Sequence, residues 1–211
     1  MKIHKGFFLA GMLLLAGFVH GQSNYRGGAL GFSARSTLNI FPHNNVVGIG
    51  AGGGWRLGFS KRVNTEWFFD PMISTTSDKS VFRKDLHIGW SVQFAFPKEG
   101  FGTGKVTPYI LGGQCFDLTK VGIARSAYET PWKFSSAAQI GLGASKFMPG
   151  NFEVNAQVQY MVHMSKDIHV DEDPLSGAIV IEEENGFNPE GHILMNLGVS
   201  WYFAHAWRAK Q

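Results

Sequence analysis

The segment His192–Phe203 reads HILMNLGVSWYF, and its period decides the fold. Ile193, Met195, Leu197, Val199, Trp201 and Phe203 fall on one face, while His192, Asn196, Gly198, Ser200 and Tyr202 fall on the other. Successive side chains of a strand point to opposite sides of a sheet, so this is a strand with one greasy face and one polar or small face. The same alternation sets Leu86, Ile88, Trp90, Val92, Phe94 and Phe96 against Asp85, His87, Gly89, Ser91, Gln93 and Ala95. It recurs where Val154, Ala156, Val158, Tyr160 and Val162 oppose Glu153, Asn155, Gln157, Gln159 and His163. An amphipathic helix, with its period of 3.6, does not alternate in this way.

Working outward, Leu30–Ile40, Val46–Phe59, Thr65–Thr75, Thr107–Leu118 and Phe134–Phe147 bring the total to eight segments. Each can cross a bilayer, because a tilted transmembrane strand needs only about 9–11 residues. In Val46–Phe59 one face is Gly48, Gly50, Gly52, Gly54, Arg56 and Gly58, a small interior that suits a narrow barrel. Both faces of Thr107–Leu118 are mixed, and Cys115 is assigned to neither. The connections Ser60–Asn64, Pro97–Lys105 and Met148–Asn151 are short or glycine-rich, whereas Ser74–Val81, Thr119–Pro131 and Lys166–Glu190 lengthen progressively. Of that second set, joined by Phe41–Asn45, only the first is short. Long loops at one end and tight turns at the other belong to barrels whose turns and termini face the periplasm. The expected fold is therefore all-β: an eight-stranded antiparallel up-and-down transmembrane β-barrel.

Composition agrees with one domain. The chain has 211 residues, 44% hydrophobic and 17% charged, with 27 Gly, 8 Pro and no collagen-like period, which excludes disorder and fibre. A single cysteine excludes an internal disulfide framework and a Cys-rich zinc site. Residues 1–21 carry Lys2 and Lys5, an apolar run Phe7–Phe18 and a small-residue end, the layout of a secretory signal peptide. The barrel is expected over 22–203 and a short tail over 204–211. Loss of the leader lowers the formal charge from +3 to about +1, too small for a nucleic-acid partner. The mean hydropathy of -0.05 decides nothing, since alternating strands average to neutral.

In Asn196-Leu-Gly-Val-Ser-Trp-Tyr-Phe203 a polar residue, a glycine two later and the aromatics Trp201 and Phe203 resemble the C-terminal signal of bacterial outer-membrane barrels. With the leader and the eight alternating segments, the chain resembles the small outer-membrane β-barrel family that includes OmpX, OmpW and the OmpA membrane domain, over Gly27–Phe203. The resemblance implies residence in the outer membrane of a Gram-negative bacterium, contact with its lipid and lipopolysaccharide, and recognition of Asn196, Gly198, Trp201 and Phe203 by the barrel assembly machinery. It implies a non-enzymatic structural or interaction role in the cell envelope, with an envelope protein as a partner. The alternative is uptake of a small apolar ligand, as in the OmpW-like members. The tail Ala204–Gln211 departs from the pattern, because such barrels commonly stop at the terminal aromatic.

With the polar faces inward, Arg35, Arg56, Glu66, Asp70, Asp85, His87 and Glu153 share the lumen, where charges persist only if paired. They are expected to form an ion-pair network that plugs the barrel. His163 and Ser165 resemble part of the His-x-Ser signature of the lipid A 3-O-deacylases, but Lys166 stands where that family has asparagine, and the pair continues the lumen face. Loop 166–190 holds eight of the 16 acidic residues against one cation, a formal charge of about -7. Within it, Asp171, Glu172 and Asp173 are candidates for a divalent ion such as Ca²⁺, although EF-hand spacing is absent. Its apolar centre, Ala178–Ile181, fits either a hairpin above the membrane or a partner contact. Tyr25, Trp55, Trp67, Tyr109, Trp132 and Trp201 are candidates for interfacial girdles, with lumen filling as the alternative for some of them. No phosphate-binding or hydrolase motif is present, and no cofactor is expected.

Overall fold

The computed structural model describes residues 27–41, 46–75, 81–102, 104–124, 128–164, 167–172, 179–184 and 191–207. The leader 1–21, Tyr25, Ser165, Asp173 and the end of the tail, 208–211, lie outside them. The described residues form ten strands: β1 (Ala29–Phe41), β2 (Val46–Gly58), β3 (Val63–Thr75), β4 (Val81–Ala95), β5 (Val106–Ile123), β6 (Lys133–Met148), β7 (Phe152–His163), β8 (Asp167–Glu172), β9 (Ile179–Glu184) and β10 (His192–His205). Eight of them close a barrel in the order β1-β10-β7-β6-β5-β4-β3-β2, and every pairing is antiparallel. Closure joins the first and last strands along Leu30↔Ala204 to Ile40↔Ile193, which leaves no open edge in the barrel wall. β8 and β9 form a separate antiparallel hairpin between β7 and β10.

The alternating residues sort as their period requires. Ile49, Leu142, Val158 and Leu197 stand on the outer wall, with Ile49 and Leu197 70% and 65% exposed. Gln93, Asp117, Gln159 and Ser200 are buried inside. A soluble barrel has the opposite sidedness, a greasy interior and a polar exterior. A row of large rings crosses five adjacent strands outside: Trp201, Phe32, Trp55, Trp67 and Trp90 are successive register partners from β10 to β4. Tyr109, by contrast, is fully buried in the lumen, where its hydroxyl donates to Gln157 Oε1 at 3.0 Å, so it is not a girdle residue.

One end carries the tight turns. Between β6 and β7 Pro149–Asn151 form a single 3₁₀ turn, with Gly150 and Asn151 at positive φ. Between β4 and β5 the connection folds under the barrel: Phe101 is wholly buried against Tyr109, at 5.7 Å between rings, with Ala95 and Leu111 around it. Gly100 makes that fold possible, because it sits at φ 75° and a Cβ there would lie 1.9 Å from the Lys61 carbonyl oxygen. The described part of the tail is tied to this end as well. β10 runs two residues past Phe203, Ala206 donates its amide to the Gly28 carbonyl at 2.7 Å, and Trp207 meets Phe59.

At the other end several strands outrun the sequence segments. β4 begins at Val81 and β5 continues to Ile123, where Gly122 bridges to Glu129. The β8–β9 hairpin folds onto this rim. Ile168 is buried with Val81 and Val121, Ile181 packs against them, and Arg83 Nη1 donates to the Ile168 carbonyl at 3.0 Å. Phe101 is thus buried at the turn end of the barrel and Ile168 at the opposite rim.

Candidate functional site

Inward positions of the wall bring together all seven sequence-derived lumen residues, Arg35, Arg56, Glu66, Asp70, Asp85, His87 and Glu153, each buried. They fall into separate layers. Nearest the turns, Arg56 Nη1 lies 3.5 Å from Glu153 Oε2 and 3.3 Å from Ser200 Oγ, and Nη2 donates to Gln93 Oε1. Tyr202 donates to Glu153 Oε2 at 2.6 Å. Gln93 Nε2 donates in turn to Glu66 Oε2 at 3.3 Å, which links this layer to the next. There Arg35 pairs with Asp70 at 2.9 Å and Glu66 at 3.7 Å, donates to Asn196 Oδ1 at 3.0 Å, and lies 4.4 Å over the Phe68 ring. The glycine face of β2 makes room: a Cβ on Gly52 would stand 2.1 Å from Asp70 Oδ1.

Above this layer an apolar group, Phe68, Met72, Cys115, Ala137, Met161 and Leu194, crosses the lumen. Beyond it, under the rim, lies a second polar group centred on Asp117. Its carboxylate faces His87 Nε2 at 3.4 Å and His163 Nδ1 at 3.6 Å, and Cys115 Sγ donates to its Oδ1 at 3.1 Å. Ser135 Oγ meets His163 Nδ1 at 3.0 Å. The His192 ring completes the group, with its centroid 5.1 Å from that of His163 and 5.8 Å from that of His87. Nearest the β8–β9 hairpin, Arg83 Nε pairs with Asp85 at 2.8 Å, while Thr119 donates to Asp85 at 2.7 Å and accepts from Arg83 at 3.3 Å. On the outside of the rim Lys120 donates to Glu129, and Lys84 lies 3.7 Å away. These cations, the Lys120 hydrogen bond foremost, hold the Glu129 carboxyl below its usual pKa.

Asn196 and Gly198 of the terminal segment face the lumen, where Asn196 also accepts from Thr37 at 2.6 Å. Trp201 and Phe203 face outward, with Phe203 stacked on Phe32 at 4.8 Å. His163 is enclosed in the lumen and away from the outer wall, so its imidazole does not meet lipid; its partner in the sequence reading, Ser165, is outside the described residues. Asp171 and Glu172 lie on β8, paired with Val180 and Ile179 of β9. Asp117, Arg83 and His192 escaped the sequence reading. Asp117 sits in the segment of mixed parity, Arg83 between the connection Ser74–Val81 and the alternation that starts at Asp85, and His192 looked like one polar residue in an alternation.

No family model matches the chain, and no curated protein sequence matches it. Solved structures do. The N-terminal β-barrel domain of Pseudomonas aeruginosa OprF aligns over 84% of this chain and 98% of its own, with a TM-score of 0.53 at 13% identity. A major outer membrane protein of Thermus thermophilus gives 0.54 over 82% and 99% at 12% identity. The outer membrane protein OprG of Pseudomonas aeruginosa gives 0.52 over 86% and 98% at 14% identity. This chain has the fold of the small eight-stranded outer-membrane β-barrels.

Proposed function

We propose that this protein is a non-enzymatic integral barrel of the outer membrane of a Gram-negative bacterium, with a filled lumen and a structural or interaction role in the envelope. The observation that carries this reading is the inverted sidedness of the wall, apolar outside and ion-paired inside. In water that arrangement exposes a continuous apolar surface far larger than the few hundred Å² a monomeric soluble protein tolerates. In a bilayer the same surface is solvated by lipid. The polar residues inside fill a narrow tube, as the interior of an eight-stranded barrel requires.

Orientation follows from the connections: tight turns and described termini inside, the β8–β9 hairpin outside. Outer-membrane lipid and lipopolysaccharide then contact the wall, and the segment ending at Phe203 serves the assembly machinery. The outer loops, with the acidic hairpin, are the surfaces left for an envelope partner. The filled lumen favours this role over uptake of an apolar ligand, since the buried layers around Arg56 and Arg35 and the apolar group above them occupy the tube. The enclosure of His163 favours it over lipid A hydrolysis.

Two measurements test the proposal. The protein should fractionate with outer membranes and resist carbonate extraction. Reconstituted in planar bilayers, it should show no steady ionic conductance. Reproducible large openings would mean that the filling does not hold, and release of the folded chain into the soluble fraction would sink the membrane reading.

A further inference from the structure

We propose that the upper lumen is a binding site for one divalent transition-metal ion of the zinc class, ligated by His87, Asp117 and His192. The three residues come from β4, β5 and β10, and each offers a ligand atom within 4.8 Å of the other two. Two imidazoles and a carboxylate suit Zn²⁺ and its first-row neighbours, whereas an oxygen-only set suits Ca²⁺ or Mg²⁺. With Zn–N and Zn–O bonds of about 2.0–2.1 Å, neighbouring ligand atoms of a tetrahedral ion stand about 3.4 Å apart. His87 Nε2 and Asp117 Oδ1 stand at 3.4 Å. His192 offers its ligand atom within 4.8 Å of both and completes the set by moving closer to them.

A second observation points to a ligand. His192 is 1% exposed, and neither of its ring nitrogens has a hydrogen-bond partner among the described residues. Burying an unsatisfied polar group costs about 1–3 kcal/mol. An ion at the triad gives one of those nitrogens a partner. An imidazole–carboxylate hydrogen bond explains the cluster less well, because the separations of 3.4 and 3.6 Å to Asp117 exceed the ~2.7–3.2 Å of such bonds.

The surroundings fit a cation. The nearby guanidinium of Arg83 is already paired with Asp85, which leaves Asp117 as the carboxylate for the ion. The Cys115 thiol holds Asp117 from below, and His163, held by Ser135, flanks it on the other oxygen. Such outer partners fix ligand orientation in metal sites.

The test uses the full chain, extracted from membranes in mild detergent and incubated with one equivalent of Zn²⁺ or Co²⁺. After removal of free ion, elemental analysis should find one metal per barrel. X-ray absorption at the zinc edge should show a low-coordinate nitrogen and oxygen shell with two imidazoles. Co²⁺ should give the intense visible bands of a tetrahedral site. His87→Asn and His192→Asn should each weaken Zn²⁺ binding by more than the roughly 10–100-fold that loss of an outer partner costs. Heat-modifiable migration verifies that each variant is folded, and the absorption spectrum of the unmodified chain decides the matter if neither is. A chain that retains no stoichiometric metal, a zinc shell of oxygens alone, or folded variants that bind as well as the parent would overturn the site.

Discussion

At the scale of single residues, Arg56 shows what the lumen demands. Its guanidinium has no contact with water and is held by Glu153, Gln93 and Ser200. Removing one member of a buried ion pair leaves the other charge uncompensated, at a cost of about 3–5 kcal/mol. Arg56→Met is therefore expected to destabilise the folded barrel by about 3 kcal/mol in urea titrations followed by tryptophan fluorescence. Adding Glu153→Met should recover part of that loss, because a well-packed apolar pair replaces an ion pair at little cost. A double variant no more stable than the single one would show that Glu153 does not act through Arg56. The sequence reading reached both residues, since each stands on the polar side of a clean alternation. Asp117 was hidden for an equally physical reason. In β5 the inward positions hold Tyr109, Leu111, Cys115 and Val121 beside Thr107 and Asp117, so the inner face is itself half apolar and its parity cannot be read. The three histidines stand too far apart in the chain for any spacing motif, and only the closure of β10 onto β7 and β1 brings His192 to the others.

At the scale of elements, the eight wall strands were legible because the pleat forces a period of two, while their upper limits were not. A strand that leaves the apolar slab no longer needs a greasy outer face, so Val81–Lys84 and Thr119–Ile123 lose the alternation while keeping the ladder. The β8–β9 hairpin stands where the sequence offered either a hairpin or a partner contact, with the apolar residues Ile179–Ile181 at the start of β9 within an acidic loop. Its attachment rests on Ile168 against Val81 and Val121 and on the bond from Arg83. Ile168→Asp places a charge in that apolar contact and should free the hairpin. Hydrogen exchange of the β8 and β9 amides is then expected to quicken by at least about tenfold, the equivalent of roughly 1.4 kcal/mol, with the wall strands unaltered. Unchanged protection in β8 would mean that the hairpin is held by something other than Ile168.

At the scale of the whole molecule, the surroundings of the wall decide what a surface substitution does. Leu197 is 65% exposed near the middle of β10. If water bathes that position, arginine there changes stability by no more than about 0.5 kcal/mol. If hydrocarbon does, Leu197→Arg should cost about 2–4 kcal/mol in lipid vesicles, with a smaller penalty for a substitution close to either rim. A neutral result at Leu197 would count directly against a bilayer around the barrel. The location of the apolar belt was legible from the sequence as one half of a pattern; alternation alone does not distinguish inside from outside, and it was the glycine and charge of the other half that marked it as the interior.

The regular alternation of the wall also bears on how such a chain is spelled. Every second residue has only to be greasy, and its neighbours have only to match one another, so the fold is written as a two-beat rhythm more than as a text. Many words scan to the same metre. That is how barrels that share this chain's architecture can agree with it at only 12–14% of positions.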